Sequence, residues 1–157
     1  MRDTFYKLVT GFAERNGCSC AIKSGTCQGT LTVEGIIDIQ LGLQEDSCMI
    51  LLHSGVGLLP VENREALYAM LLSANNCFRG TQGLTLGLDT ERELITLQCV
   101  WDIRQLDDEH FDILMGNFLS LLAQWLHKIA VWKPDANVVG PGQGEEASLF
   151  MGEFLRV

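Results

Sequence analysis

Three strand-like segments follow one another between residues 30 and 53, and the links between them allow only one kind of sheet. Leu31 and Val33 share one face of residues 30–33, with threonines on the other. Ile37, Ile39, Leu41 and Leu43 alternate with Asp38, Gln40 and Gly42, which marks a half-buried strand. Residues 48–53, CMILLH, form a continuous apolar run suited to a central strand. The links are the tight turn Glu34-Gly35 and the short turn 44–47. A parallel crossover takes about a dozen residues or more, so these segments form an antiparallel meander. Residues 18–23 alternate weakly ahead of the Ser24-Gly25 turn and read as a further short extended segment.

Helices flank the meander. Phe5, Leu8, Val9, Phe12 and Ala13 follow the i, i+3, i+4, i+7, i+8 spacing of one apolar stripe, with Asp3 or Thr4 as cap and Asn16-Gly17 as a left-handed stop. After the meander, Gly55, Gly57 and Pro60 mark a corner, and Glu62-Asn63 opens a second helix. Leu67, Met70, Leu71 and Ala74 make one stripe of it, while Ala66, Ala69, Leu72 and Ser73 leave the opposite side small or apolar. One apolar stripe is enough to dock a helix on its own domain; a second face asks for a second partner. A hairpin follows, with arms 84–89 and 93–101. A long last helix opens at Asp107-Asp108 and carries Phe111, Met115, Phe118, Leu122, Trp125 and Ile129 on one side until Pro134 closes it.

Residues 133–147 are rich in Gly, Pro and acids and read as a flexible linker. Beyond it, Leu149, Phe150, Met151, Phe154 and Leu155 restore an apolar end. The expected organisation is therefore a domain over residues 1–132 and a C-terminal tail over 133–157.

Charge and side-chain chemistry narrow the function. Twenty acidic residues against 11 basic ones give a net charge of −9, a field that repels phosphate backbones and anionic membranes. No apolar stretch approaches the roughly 20 residues of a membrane span, and the N-terminus has no hydrophobic signal core, so a cytoplasmic location without membrane insertion is expected. Cys18, Cys20, Cys27, Cys48, Cys77 and Cys99 contain no CxxC pair and lie apart from His53, His110 and His127. They read as reduced thiols rather than metal ligands or disulfides. Neither glycine pair, 55/57 or 80/83, is followed by the GK[ST] of a phosphate loop, and Ser54 lacks a nucleophile-elbow context. The acids around His110 suit helix capping. No catalytic, cofactor or metal residue is assigned. A small cysteine- or histidine-dependent enzyme using Cys18, Cys20 or His110 stays as a lesser alternative.

FAERNG at 12–17, SGVGLLP at 54–60, NREALYAMLLSANNCF at 63–78 and VWDIRQLDDEHFDILMGNFL at 100–119 occur in the order helix end, glycine corner, second helix, last strand and final helix. In that order they resemble the class I type III secretion chaperones, with the nearest likeness to the Tir chaperone (CesT-like) family, over roughly residues 5–132. The tail departs from any shared pattern. The resemblance implies an α+β fold, an α-β-β-β-α-β-β-α sandwich on a twisted antiparallel sheet, forming a homodimer. It implies a non-enzymatic chaperone that binds the N-terminal chaperone-binding segment of secreted effectors, keeps it secretion-competent and aids delivery to the secretion ATPase. A regulatory adaptor of the same fold that binds a transcriptional regulator is the alternative.

On this basis Leu67, Met70, Leu71, Ala74, Leu86 and Leu88 are expected at the dimer interface. Phe5, Leu8, Phe12, Ile22, Leu31 and Val33 are expected to bind effector by strand addition and pocket filling.

Overall fold

The computed structural model describes residues 1–23 and 25–133. The tail, including the flexible linker and apolar end expected from the sequence, lies outside the described residues. Helix α1 (Arg2–Asn16) leads into strands β1 (Ser19–Ile22), β2 (Gln28–Val33), β3 (Ile37–Gln44) and β4 (Met49–Leu58). Helix α2 (Arg64–Asn75), the hairpin β5 (Thr85–Asp89) and β6 (Leu94–Asp102), and helix α3 (Asp108–Ala130) complete the fold. All strand pairings are antiparallel, in the order β1-β2-β3-β4-β6-β5. The hairpin thus docks β6, not β5, against the central strand.

Two details depart from the sequence expectation. The first meander has four strands rather than three, because the weakly alternating segment pairs with β2 as a true edge strand. None of its residues is fully buried, which is why its periodicity is faint. The glycine-rich stretch 55–57 is not a corner but the second half of β4, which runs on to Leu58 through a bulge between Gly55 and Gly57. Packing demands the glycine. A Cβ on Gly57 would lie 2.5 Å from Cγ2 of Ile129, in the last turn of α3.

Among the described residues one face of the sheet is covered by helices and the other is open, as antiparallel sheets allow. Ile39 and Leu41 of β3, Ile50, Leu52 and Val56 of β4, and Ile95 and Leu97 of β6 turn inward. They meet the apolar stripes of α1 and α3, whose Phe12 and Phe111 rings pack edge to face at 5.9 Å. Ion pairs Arg15–Asp112 (2.6 Å) and Lys7–Asp108 (3.2 Å) tie α1 to α3 at the rim. Asp107 caps α3, accepting from the His110 N–H at 2.8 Å. The indole N–H of Trp125 donates to the Gly80 carbonyl at 3.0 Å, anchoring the α2–β5 loop on α3. Helix α2 sits to one side, over β5.

Candidate functional site

The acids around His110 are engaged structurally. Asp107 caps the helix and also meets His110 Nδ1 at 2.7 Å, while Asp108 and Asp112 pair with α1. Among the described residues no group of three or more His, Cys, Asp and Glu side chains is placed to hold a metal ion. Cys99 is buried between sheet and helices, and desolvation pushes its thiol up to about 11, far from a reactive thiolate.

On α2 the structure divides the six expected interface residues. Leu67, Leu71, Ala74 and, on β5, Leu86 point into the chain's own core. Met70 is half-buried and Leu88 stays 40 % exposed. The reason is general: the strongest helical stripe is the one a helix packs on its own sheet. What faces outward is the other side, where Leu72 is 69 % exposed beside Tyr68. Tyr68, Leu72 and Leu88 edge a cleft of about 220 Å³ between α2 and β5 whose floor is Leu71 and Leu86. Leu72 belongs to the second apolar face of the helix, the one with Ala66, Ala69 and Ser73, whereas the expected interface residues lie on the inner stripe.

The residues expected to take up effector are corrected more sharply. Phe5, Leu8 and Phe12 of α1 and Leu31 of β2 are fully interior. They form the α1–sheet contact and present no surface to a ligand. Ile22 and Val33 are half-buried at the β1–β2 margin, where the core thins toward the sheet edge.

The two edges of the sheet differ. Lys23 N–H donates to the Gln28 carbonyl at 3.0 Å, which makes 23–28 a hydrogen-bonded pair and, by antiparallel alternation, 21–30 and 19–32 as well. Cys20 and Ile22 therefore turn their N–H and C=O groups away from β2, toward an edge that no strand among the described residues covers. At the opposite edge, the Asn75 side chain bonds both the N–H and the C=O of Leu86 at 2.9 Å. The β5 edge is capped at Leu86 by an amide; the β1 edge carries no such cap among the described residues.

The other face of the sheet, which no helix covers among the described residues, carries a shallow depression. A basin of about 400 Å³ is bordered by Ala21, Thr30, Gln40, Gly42, Leu51 and His53. Nothing lies within 4 Å of where a Gly42 Cβ would be, so glycine here leaves space rather than avoiding a clash. Leu51 sits opposite Val100 across the β4–β6 pair, and both are exposed, giving the polar face an apolar patch. His53 Nδ1 is buried without a hydrogen-bond partner among the described residues, and desolvation, with Arg92 adding to it, holds this imidazole below the ordinary histidine range. The sequence reading missed this face because its residues look like the solvent side of alternating strands.

A family model described as the Tir chaperone protein (CesT) family matches residues 7–126. No curated protein matches the sequence. Among solved structures, a chain of the ExsC–ExsE complex is similar at 21 % identity and a TM-score of 0.66, over 81 % of this chain and 94 % of that one. A chain of the HopA1–SchA chaperone–effector complex is similar at 16 % identity and a TM-score of 0.60, over 80 % and 95 %. The Yersinia pestis type III secretion chaperone SycH, in complex with a stable fragment of YscM2, gives 18 % identity and a TM-score of 0.57, over 78 % and 98 %. At these identities the likeness is one of fold.

Proposed function

The chain belongs to the Tir chaperone protein (CesT) family, and we propose that it is a non-enzymatic type III secretion chaperone. It binds the N-terminal segment of one or more secreted effectors in extended form, holds it secretion-competent in the cytoplasm and hands it to the secretion ATPase. The observation that carries this reading is the asymmetry of the sheet edges. A chain that caps Leu86 on one edge with Asn75 and leaves Cys20 and Ile22 open at the other retains the β1 edge as a place for a strand to add. The edge leads onto the helix-free face, where Ala21 and Thr30 border the same basin as Leu51 and His53. An extended client pairs with β1 and lays its next residues across that basin.

The reading includes a homodimer through Leu72, Tyr68, Met70 and Leu88, since a two-fold contact buries the same patch twice. The similar chain in the HopA1–SchA chaperone–effector complex supports a protein client. The test is capture of full-length protein from a host that carries a type III secretion system, followed by mapping the smallest client fragment retained. An N-terminal fragment of a secreted protein is the expected result; a transcriptional regulator would assign the chain to the adaptor role, and turnover of a small molecule would overturn both.

A further inference from the structure

Strand β5 begins at Thr85, opposite Gln98, so it leaves the last part of β6 without a neighbour on that side. The hydrogen-bond phase is fixed twice over. Asn75 takes the outward groups of Leu86, so Thr85, Gly87 and Asp89 are the residues bonded to β6 at Gln98, Thr96 and Leu94. On the other flank, Ile103 N–H donates to the Cys48 carbonyl, which sets Trp101 and Cys99 toward β4. Val100 and Asp102 therefore aim their N–H and C=O groups past the start of β5, where no strand among the described residues meets them.

Beside this short free edge lies a groove of about 430 Å³, separate from the α2–β5 cleft and the basin on the open face. Its apolar walls are Trp101, 44 % exposed, Ile113 of α3, 55 % exposed, and the more buried Leu84, Leu106 and Leu114. An open pair of backbone ladders next to an apolar trough is suited to one more extended segment, in line with β5.

The chain itself supplies a candidate of the right length. Residues 134–157 follow α3, and their last part carries Leu149, Phe150, Met151, Phe154 and Leu155. The described chain ends at Lys133, whereas Asn117 lines the groove sixteen residues earlier on α3. At the helical rise that return path is roughly 20–25 Å. Residues 134–147 number 14 and are rich in Gly and Pro; a random-coil chain of 14 residues has a root-mean-square span of roughly 19–22 Å. A linker whose mean span matches the gap gives the highest effective concentration, on the order of millimolar.

We propose that the groove between Trp101 and Ile113 receives residues 149–155 of the same chain as an added strand on Val100 and Asp102. The test is amide hydrogen exchange on the full-length protein, compared with the double variant Phe150→Ser, Phe154→Ser and with Ile113→Ser, a surface change that leaves the core intact. Exchange at Val100 and Asp102 should be about tenfold or more faster in both variants, with the core strands unchanged. Equal exchange in wild type and variants overturns the proposal. Protection that disappears on dilution assigns the occupant to a second copy, and protection that appears only with bound client assigns the groove to the client. Either result overturns docking within the chain.

Discussion

The side-chain amide of Asn75 closes both backbone bonds of Leu86, donating from Nδ2 to the carbonyl and accepting at Oδ1 from the N–H, each at 2.9 Å. An asparagine at the end of α2 thereby stands in for a neighbouring strand, fixes α2 to β5 and removes the most central docking point of that edge. Asn75→Ala leaves a part-buried N–H and C=O without partners. A loss of about 1–3 kcal/mol is expected in denaturant unfolding, together with a rise in concentration-dependent aggregation as the edge opens.

The outer face of α2 is separable from its inner stripe. Leu72→Glu places a charge on a surface position and should give a folded monomer, within about 0.5 kcal/mol of wild type measured under monomeric conditions. Leu71→Glu puts an unpaired charge into the core beside Leu67 and should unfold the domain. Ultracentrifugation with thermal unfolding distinguishes the two. A Leu72→Glu protein that stays dimeric contradicts the interface.

Gly57→Ala tests the contact of the β4 bulge with α3. The new Cβ would press on Cγ2 of Ile129, a β-branched side chain with little freedom to turn away. About 1–3 kcal/mol of destabilisation is expected. Adding Ile129→Ala should restore part of it, and a double-mutant cycle with no coupling would show that the strain lies elsewhere.

The acid end of the stability curve has an identifiable contributor. The Arg104 guanidinium, bonded to Asp102 at 2.6 Å, together with the Arg104 backbone N–H, holds the Asp102 carboxyl down to about 2. Its folded value lies below its unfolded one, so the stabilisation is complete above about pH 4 and is lost as pH falls toward 2. An NMR titration should show the low value in wild type and a return toward the ordinary aspartate range in Arg104→Ala.

Periodicity exposed most of this architecture. The alternation of Ile37 to Leu43 and the stripes of α1 and α3 each report burial directly, and the short links left no choice of strand direction. Periodicity does not say what does the burying. Phe5, Leu8 and Phe12 carry the clearest stripe because they fill the core, which removes them from any client surface. Leu67 and Leu71 lie on the stronger stripe for the same reason, while Leu72 belongs to the weaker second face, whose other members are small. Edge status is still less visible. That Asn75 caps Leu86 on β5 while Cys20 and Ile22 stay open depends on contacts between elements and on hydrogen-bond phase, neither of which any local pattern encodes.

Binding at the β1 edge can be probed without disturbing the hairpin, because the Cys20 N–H points away from β2. Proline at such a position removes a donor only from the open side. The measurement is the affinity of the mapped client fragment for wild type, Cys20→Ala and Cys20→Pro, each with its unfolding midpoint. Cys20→Ala should bind as wild type, and Cys20→Pro should bind about tenfold or more weakly, as expected when a backbone bond and the strand register are lost together, at an unchanged midpoint. Full affinity in Cys20→Pro would contradict strand addition at this edge and with it the proposed mode of client recognition.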